Sequence, residues 1–331
     1  MRALNKAMKP DNQCHCASQR QSPHPLHSVK RFCLGLLMAG AAWQAAPGLA
    51  ASNSPIPKPV MPVVAAMPEV AAAPVVTTTL VKVADGRSLA PDIARIVNKG
   101  ELVIAMLGAD TPPFFATKGD TVEGLEVNIA RAIAKELKVA VRFERSAKSF
   151  NEVVEVVARG DADLGISKLS RTLARAQSIS FSDPYLRLAH SFILNRVRFA
   201  EYARDMPLPT ALRQYKGSLG VIAKSSFADY AQRNFPKADL REYPNWAEVL
   251  KAVKSGQIIA AYRDEFEVKR VLRSDATLSL TLRTVTFKDL DDTLGIAVGI
   301  QDPVLLAFVN QYLAQTPEKL TIDVVLKALD R

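Results

Sequence analysis

From about residue 100 the chain alternates short apolar runs with segments whose apolar residues recur every three or four positions. Leu102-Val103-Ile104-Ala105-Met106 is a continuous apolar run of strand length. Glu126 to Leu137 sets Val127, Ile129, Ala130, Ile133, Ala134 and Leu137 on one helical stripe. Val139 to Phe143 returns to a strand pattern, and Phe150 to Ala158 to a helical one that Arg159-Gly160 ends. Leu164 to Ile166 is the next strand. Strands alternating with helices predict a parallel sheet with helices on both faces.

The same alternation restarts downstream. Leu219 to Ile222 reads as a strand, followed by a helix that opens at Ser225-Ser226 and runs towards Phe235. Leu240 to Tyr243 is a strand, Trp246 to Val253 a helix, and Ile258 to Tyr262 a strand that ends at Asp264 before another helix. Two such runs predict an α/β chain of two lobes. Ligands of open α/β sheets sit beyond the carboxyl ends of the strands, so groups from both lobes would face a shared cleft.

One stretch in that position carries chemistry. After the strand at Leu164 to Ile166 come Ser167, Lys168, Ser170, Thr172 and then Arg175. Hydroxyls and free backbone amides followed by an arginine suit a small carboxylate, because guanidinium presents a planar fork of donors to two oxygens at once. The plainer alternative is a helix cap with a solvated arginine.

Composition sets the compartment. The 331 residues are 48% hydrophobic and 23% charged, enough for a large core. The net charge of +10 suggests nucleic acid until it is located: half of it lies in residues 1–50, and no basic run follows. A nucleic-acid partner is therefore not expected. All three cysteines (Cys14, Cys16, Cys33) and three of four histidines also fall there. Lys30-Arg31, an apolar segment from Phe32 to about Ala46, and Pro47-Gly48-Leu49-Ala50 give residues 1–50 the anatomy of a signal peptide cleaved near Ala50. Its apolar part is shorter than the roughly 20 residues of a membrane span. Removing it leaves no cysteine and a single histidine, His190, so no metal, cofactor or disulfide is expected. Residues 51–90 are rich in proline and alanine and read as a disordered linker.

Six motifs in order then resemble the bacterial solute-binding protein family 3, the periplasmic amino-acid-binding proteins of ABC importers. They are Gly100-Glu101-Leu102-Val103-Ile104, Asp110-Thr111-Pro112-Pro113-Phe114, Gly124 to Ala130, Gly160-Asp161-Ala162-Asp163, the Thr172 to Tyr185 run ending in Phe-Ser-Asp-Pro-Tyr, and Gly256 to Asp264. The resemblance implies the two-lobed periplasmic-binding-protein fold. It places the first part of lobe 1 in residues 91–193, lobe 2 in 194–291 and the return to lobe 1 in 292–331. Chain crossings near Ser191–Arg198 and Leu290–Leu294 would form the hinge.

The resemblance also implies roles. Arg175 would clamp a ligand carboxylate, with Ser170 and the backbone of Lys168 at the head group. Asp264 would pair with an ammonium, and Ser225 and Ser226 would offer donors from the second lobe. Phe150 would stack on the ligand. Three positions depart from the pattern. Thr111 stands where many relatives carry an aromatic ring, Lys168 where a small residue is common, and Lys224 where glycine is usual. The two lysines either meet a second ligand carboxylate or point to solvent, and the snorkelling habit of lysine favours solvent. His190 is expected to be structural, Phe114-Phe115 to be core, and Asp161 and Asp163 to form a turn; Asp264 could also be a plain helix cap.

The implied function is a monomeric periplasmic protein that takes an amino acid or similar small carboxylate to an inner-membrane ABC permease, with no catalytic residue. The alternatives are a cyclohexadienyl-dehydratase-like enzyme on the same scaffold, with Asp264, Glu265, Glu126 or His190 as its acid or base, and a ligand-sensing domain.

Overall fold

The computed structural model describes residues 79–329. The expected signal peptide and most of the expected linker lie outside the described residues. The end of the linker span differs from expectation: Val81–Lys82 and Ser88–Leu89 pair as an antiparallel hairpin. The helix Pro91–Lys99 follows, its proline in the first turn where no backbone donor is lost.

Two five-stranded sheets organise the rest as two lobes. In the first, Glu101–Leu107 runs parallel to Ala140–Ala147 on one side and Leu164–Gly165 on the other. Ala297–Val298 then lies antiparallel to Leu164–Gly165, with Ser180–Phe181 outside it. Leu102 to Leu107 are all buried, which is why the strand is apolar without alternation. The helices Leu125–Leu137 and Phe150–Ala158 lend Val127, Ile133, Val153 and Val157 to this core. The chain returns at its end through Pro303–Gln315 and Ile322–Ala328, whose Leu305, Val309 and Val325 are fully buried in it.

The second sheet repeats the order. Ser218–Ile222 is parallel to Asp239–Tyr243 and Ala260–Asp264. Leu186–Asn195 pairs antiparallel with Ala260–Asp264, and Leu282–Leu294 lies outside it. Adjacent residues of a strand face opposite sides. Phe192 and Leu194 accordingly join one core with Tyr215, Phe235 and Tyr262, while Ile193 joins another with Val249, Val253 and Val268.

The strands Leu186–Asn195 and Leu282–Leu294 also carry the chain between lobes. Their ladder shifts register between Thr286 and Asp291. Leu186 to Ala189 pair only with Asp291 to Leu294, whereas His190 to Leu194 are already flanked by Ala260–Asp264. The first crossing is thus Leu186 to Ala189, earlier than the expected Ser191–Arg198, and Leu186, Leu188 and Leu294 pack in the first lobe's core. Ser191 to Asn195 are held by hydrogen bonds on both edges and belong to the lobe itself. The second crossing, Asp291 to Leu294, falls inside the expected segment.

Candidate functional site

The site begins at Gly124. Its φ is 139°, and a Cβ there would come within 2.2 Å of the Phe114 carbonyl oxygen. Only glycine tolerates that approach. It lets the amides of Leu125 and Glu126 donate to the Pro113 and Phe114 carbonyls, both at 3.0 Å. Glu126 is thereby fixed, wholly buried, in the first turn of its helix. It accepts the Lys168 amide at 2.8 and 3.0 Å on its two oxygens and the Tyr185 hydroxyl. Burial pushes the carboxyl up to about 7, against the pull of Tyr185 and Lys168.

Glu126 pins Lys168 in a left-handed conformation, φ 50°. The Lys168 side chain does not reach solvent, contrary to the snorkelling expectation. Its Nζ lies 2.8 Å from Asp264 Oδ2 and 3.0 Å from Glu267 Oε1, both in the second lobe. The rings of Phe114 and Phe266 flank the ammonium at 5.2 and 5.1 Å. A buried cation is tolerated when paired in this way. Lys224, by contrast, is exposed.

The next residues lie along the second crossing strand. The Arg171 amide donates to the Thr293 carbonyl at 2.9 Å, and the Gly295 amide to the Leu169 carbonyl at 3.0 Å. This brings Ser170 Oγ within 2.9 Å of Asp292 Oδ2, and within 2.8 Å of Ser226 Oγ from the other lobe. The Tyr230 hydroxyl donates to the second Asp292 oxygen at 3.3 Å. Burial, with Asp264 nearby, pushes the Asp292 carboxyl up to about 6.

Arg175 opens a short 3₁₀ turn and is buried. Its Nε and Nη2 donate to Asn151 Oδ1 at 3.1 and 3.0 Å, and its Nη1 to the Ser170 carbonyl at 3.0 Å. All three bonds go to neutral acceptors. Asn151 and Phe150 are placed by the helix start behind them, where Ser149 Oγ accepts the Glu152 amide at 3.2 Å as an N-cap. Burial lowers the guanidinium's hold on its proton, and Asp292 works against that.

The second lobe contributes the end of a fully buried strand, Ala260–Asp264. Asp264 caps the helix Glu265–Ser274, its Oδ1 accepting the Glu267 amide at 3.1 Å. The capping role weighed from sequence is therefore real, and the other oxygen holds Lys168. Burial pushes the Asp264 carboxyl up, but Lys168 and then Arg263 outweigh it and leave it below the usual range. Arg263 stacks its guanidinium 5.3 Å from the Phe150 ring and 5.5 Å from Phe227. Its Nε has no hydrogen-bond partner and lies 3.6 Å from Asp264 Oδ2.

These groups surround a cavity of about 10 Å³, lined by Phe150, Lys168, Ser170, Arg175, Ser226, Phe227, Arg263, Asp264 and Asp292. That is space for about one water. A second cavity of about 300 Å³ shares Phe150 and Arg263 with it and extends past Thr111, Trp246 and Arg270. Six of the eight residues expected from sequence line the small cavity. Thr111 lies in the larger one, and Ser225, whose Oγ donates to the Ile222 carbonyl at 2.6 Å, lines neither.

Sequence reasoning missed Arg263, Phe227, Asp292, Tyr230 and Glu267. Arg263 had a signal, since it precedes an acid at a strand end. Asp292 had none, because which of Asp289, Asp291 and Asp292 turns inward depends on the register shift. His190 sits among Phe227, Tyr230 and Tyr262 with Nδ1 bonded to the Tyr262 hydroxyl, and burial lowers it to about 4. It is neutral and lies outside both cavities' linings. Asp163 accepts from the Val103 amide at 2.8 Å and from Arg95.

Residues 102–327 match the family of bacterial extracellular solute-binding proteins, family 3. The chain is similar to the ABC transporter glutamine-binding protein of Bacillus subtilis, 26% identical over 62% of this chain and 72% of that one. It is also similar to a membrane-bound lytic murein transglycosylase F of Alkalilimnicola ehrlichii, 28% identical over 52% of this chain but only 33% of that one. Among solved structures, it resembles an ancestral amino-acid-binding protein, a precursor of cyclohexadienyl dehydratase. The TM-score is 0.56 at 26% identity, covering 71% of this chain and 97% of that one.

Proposed function

The chain belongs to the bacterial extracellular solute-binding proteins, family 3, and on that premise we propose that it is an exported receptor for a small carboxylate. It captures an amino acid or a similar acid by closure of its lobes in the periplasm and delivers it to an ABC importer. The observation that carries this reading is convergence. Arg175, Ser170 and Lys168 of one lobe and Ser226, Arg263 and Asp264 of the other surround one cavity. A ligand bridging such groups favours the closed arrangement by its differential affinity for it. Binding proteins that the chain resembles act on glutamine and other amino acids, which supports the substrate class.

Arg175 is the anchor on this reading, because its fork of donors faces neutral acceptors only and a carboxylate would give it a charged one. Hydrogen bonds to charged groups contribute roughly 1.5–3 kcal/mol each. In thermal-shift screening against amino acids, dicarboxylates and cyclic carboxylates, a ligand raises the melting temperature of the parent, and Arg175→Ala abolishes the rise. A variant that binds as well as the parent would show that the site is misassigned.

Catalysis on the same scaffold is the second reading, and Asp292 favours it. A buried carboxyl that lines the cavity and is pushed up to about 6 has the poise of a general acid. Recovery of every binding acid unchanged after incubation would exclude it.

A further inference from the structure

We infer that the cleft selects carboxylates that carry no α-ammonium, because Asp264 and Glu267 already hold cations of the chain's own, Asp292 already accepts two hydroxyls, and the guanidinium groups in the lining have no charged hydrogen-bond acceptor. The inference deepens the receptor reading above and rests on it.

Consider first what would receive an ammonium. Both oxygens of Asp264 are engaged, one by the Glu267 amide at 3.1 Å and the other by Lys168 Nζ at 2.8 Å. Glu267 holds Lys168 at 3.0 Å and Arg270 at 2.7 Å. Asp292 accepts hydroxyls from Ser170 and Tyr230, one on each oxygen. A ligand ammonium beside Asp264 would stand next to Lys168 and Arg263 at once, and like charges at such distances repel strongly in a buried site. Lys168 cannot easily yield its place. Its side chain is 2% exposed, its amide is held by Glu126, and two phenylalanine rings enclose its end.

Consider next what would receive a carboxylate. Arg263 is buried and lines the small cavity, and its Nε has no hydrogen-bond partner, with Asp264 Oδ2 at 3.6 Å. Arg175 lines the same cavity with only neutral acceptors on its guanidinium. Both offer charge-assisted bonds to an anion. The body of the ligand has a place beyond Phe150 and Arg263, in the cavity of about 300 Å³ beside Trp246. That volume is at the lower end of small-molecule sites.

The test compares pairs of acids that differ only in the amino group: L-phenylalanine with 3-phenylpropanoate, L-glutamate with glutarate, L-histidine with 3-(imidazol-4-yl)propanoate, and L-arginine with 5-guanidinopentanoate. Binding to the full chain is read by thermal shift and by tryptophan emission. Trp246 is the sole tryptophan after residue 50. At least one amine-free acid is expected to bind about 10-fold or more tightly than its amino partner. Lys168→Asn, which keeps a residue tolerant of the left-handed backbone, is expected to narrow or reverse that ratio. Equal or tighter binding of the amino partners by the wild type overturns the inference and leaves the receptor reading standing. No binding by either set overturns both. Should Lys168→Asn fail to fold, the wild-type comparison alone decides.

Discussion

Lys168 Nζ lies 2.8 Å from Asp264 Oδ2, so a cation from one lobe rests on an acid from the other, both almost wholly buried. Removing one partner of a buried pair typically costs about 3–5 kcal/mol. Glu267 remains 3.0 Å from the ammonium and softens the loss. Asp264→Asn keeps a side chain able to cap the helix and is expected to lower unfolding stability by about 2 kcal/mol. Urea denaturation at neutral pH measures this, and a loss below about 0.5 kcal/mol would mean the pair contributes nothing net.

Asp292 gives stability a pH dependence of definite sign. Its folded value, about 6, stands above the ordinary 3.8. The folded protein therefore holds this proton more tightly than the unfolded chain. The stability it contributes is full well below pH 3.8 and is lost as pH rises through 6, by roughly 3 kcal/mol at pH 7. Asp292→Asn removes that dependence. Relative to the variant, the wild type is expected to gain about 2.4 kcal/mol on going from pH 7 to pH 4. His190, lowered to about 4, pushes in the opposite sense but is common to both proteins and cancels. Parallel unfolding curves at the two pH values would refute the assignment.

Gly124→Ala tests how the first lobe is assembled. The new Cβ would lie 2.2 Å from the Phe114 carbonyl oxygen, at a backbone φ of 139°. Relief requires moving the Phe114 carbonyl, and with it the bond that seats Glu126. A loss of about 3 kcal/mol or more is expected in denaturation. A variant as stable as the parent would show that this approach is looser than described.

Much of this was legible in the chain because the pattern and the burial agree. Phe150 to Ala158 is a helix over the expected residues, and Leu125–Leu137 begins one residue before the expected stripe. Ser170 and Arg175 reach the cavity from the segment that follows the strand Leu164–Gly165, and Asp264 from the last position of the strand Ala260–Asp264. The strand expected from Ile258 ends at Asp264 as expected but begins at Ala260, since Ile258 packs into the core from outside the ladder. The long strand Leu282–Leu294 is legible only where it crosses, because the polar pairs Arg283-Thr284 and Lys288-Asp289 interrupt its alternation and it lies at a sheet edge. The Lys168 pairing was illegible for a different reason. Its partners are almost 100 residues away in the other lobe, and nothing local distinguishes a lysine that meets them from one that meets water.

On the receptor reading, the arrangement of Lys168 against Asp264 and Glu267 also fixes what the two lobes become when they part. One then presents a bare ammonium and the other a pair of carboxylates at a helix start. Their attraction across the gap is an ordinary screened Coulomb force with a range of about 8–10 Å near physiological ionic strength. Salt therefore weakens the pull that recloses an opened cleft while barely touching the closed pair, which solvent does not reach. On the receptor reading, ionic strength is a lever on how readily the empty cleft shuts.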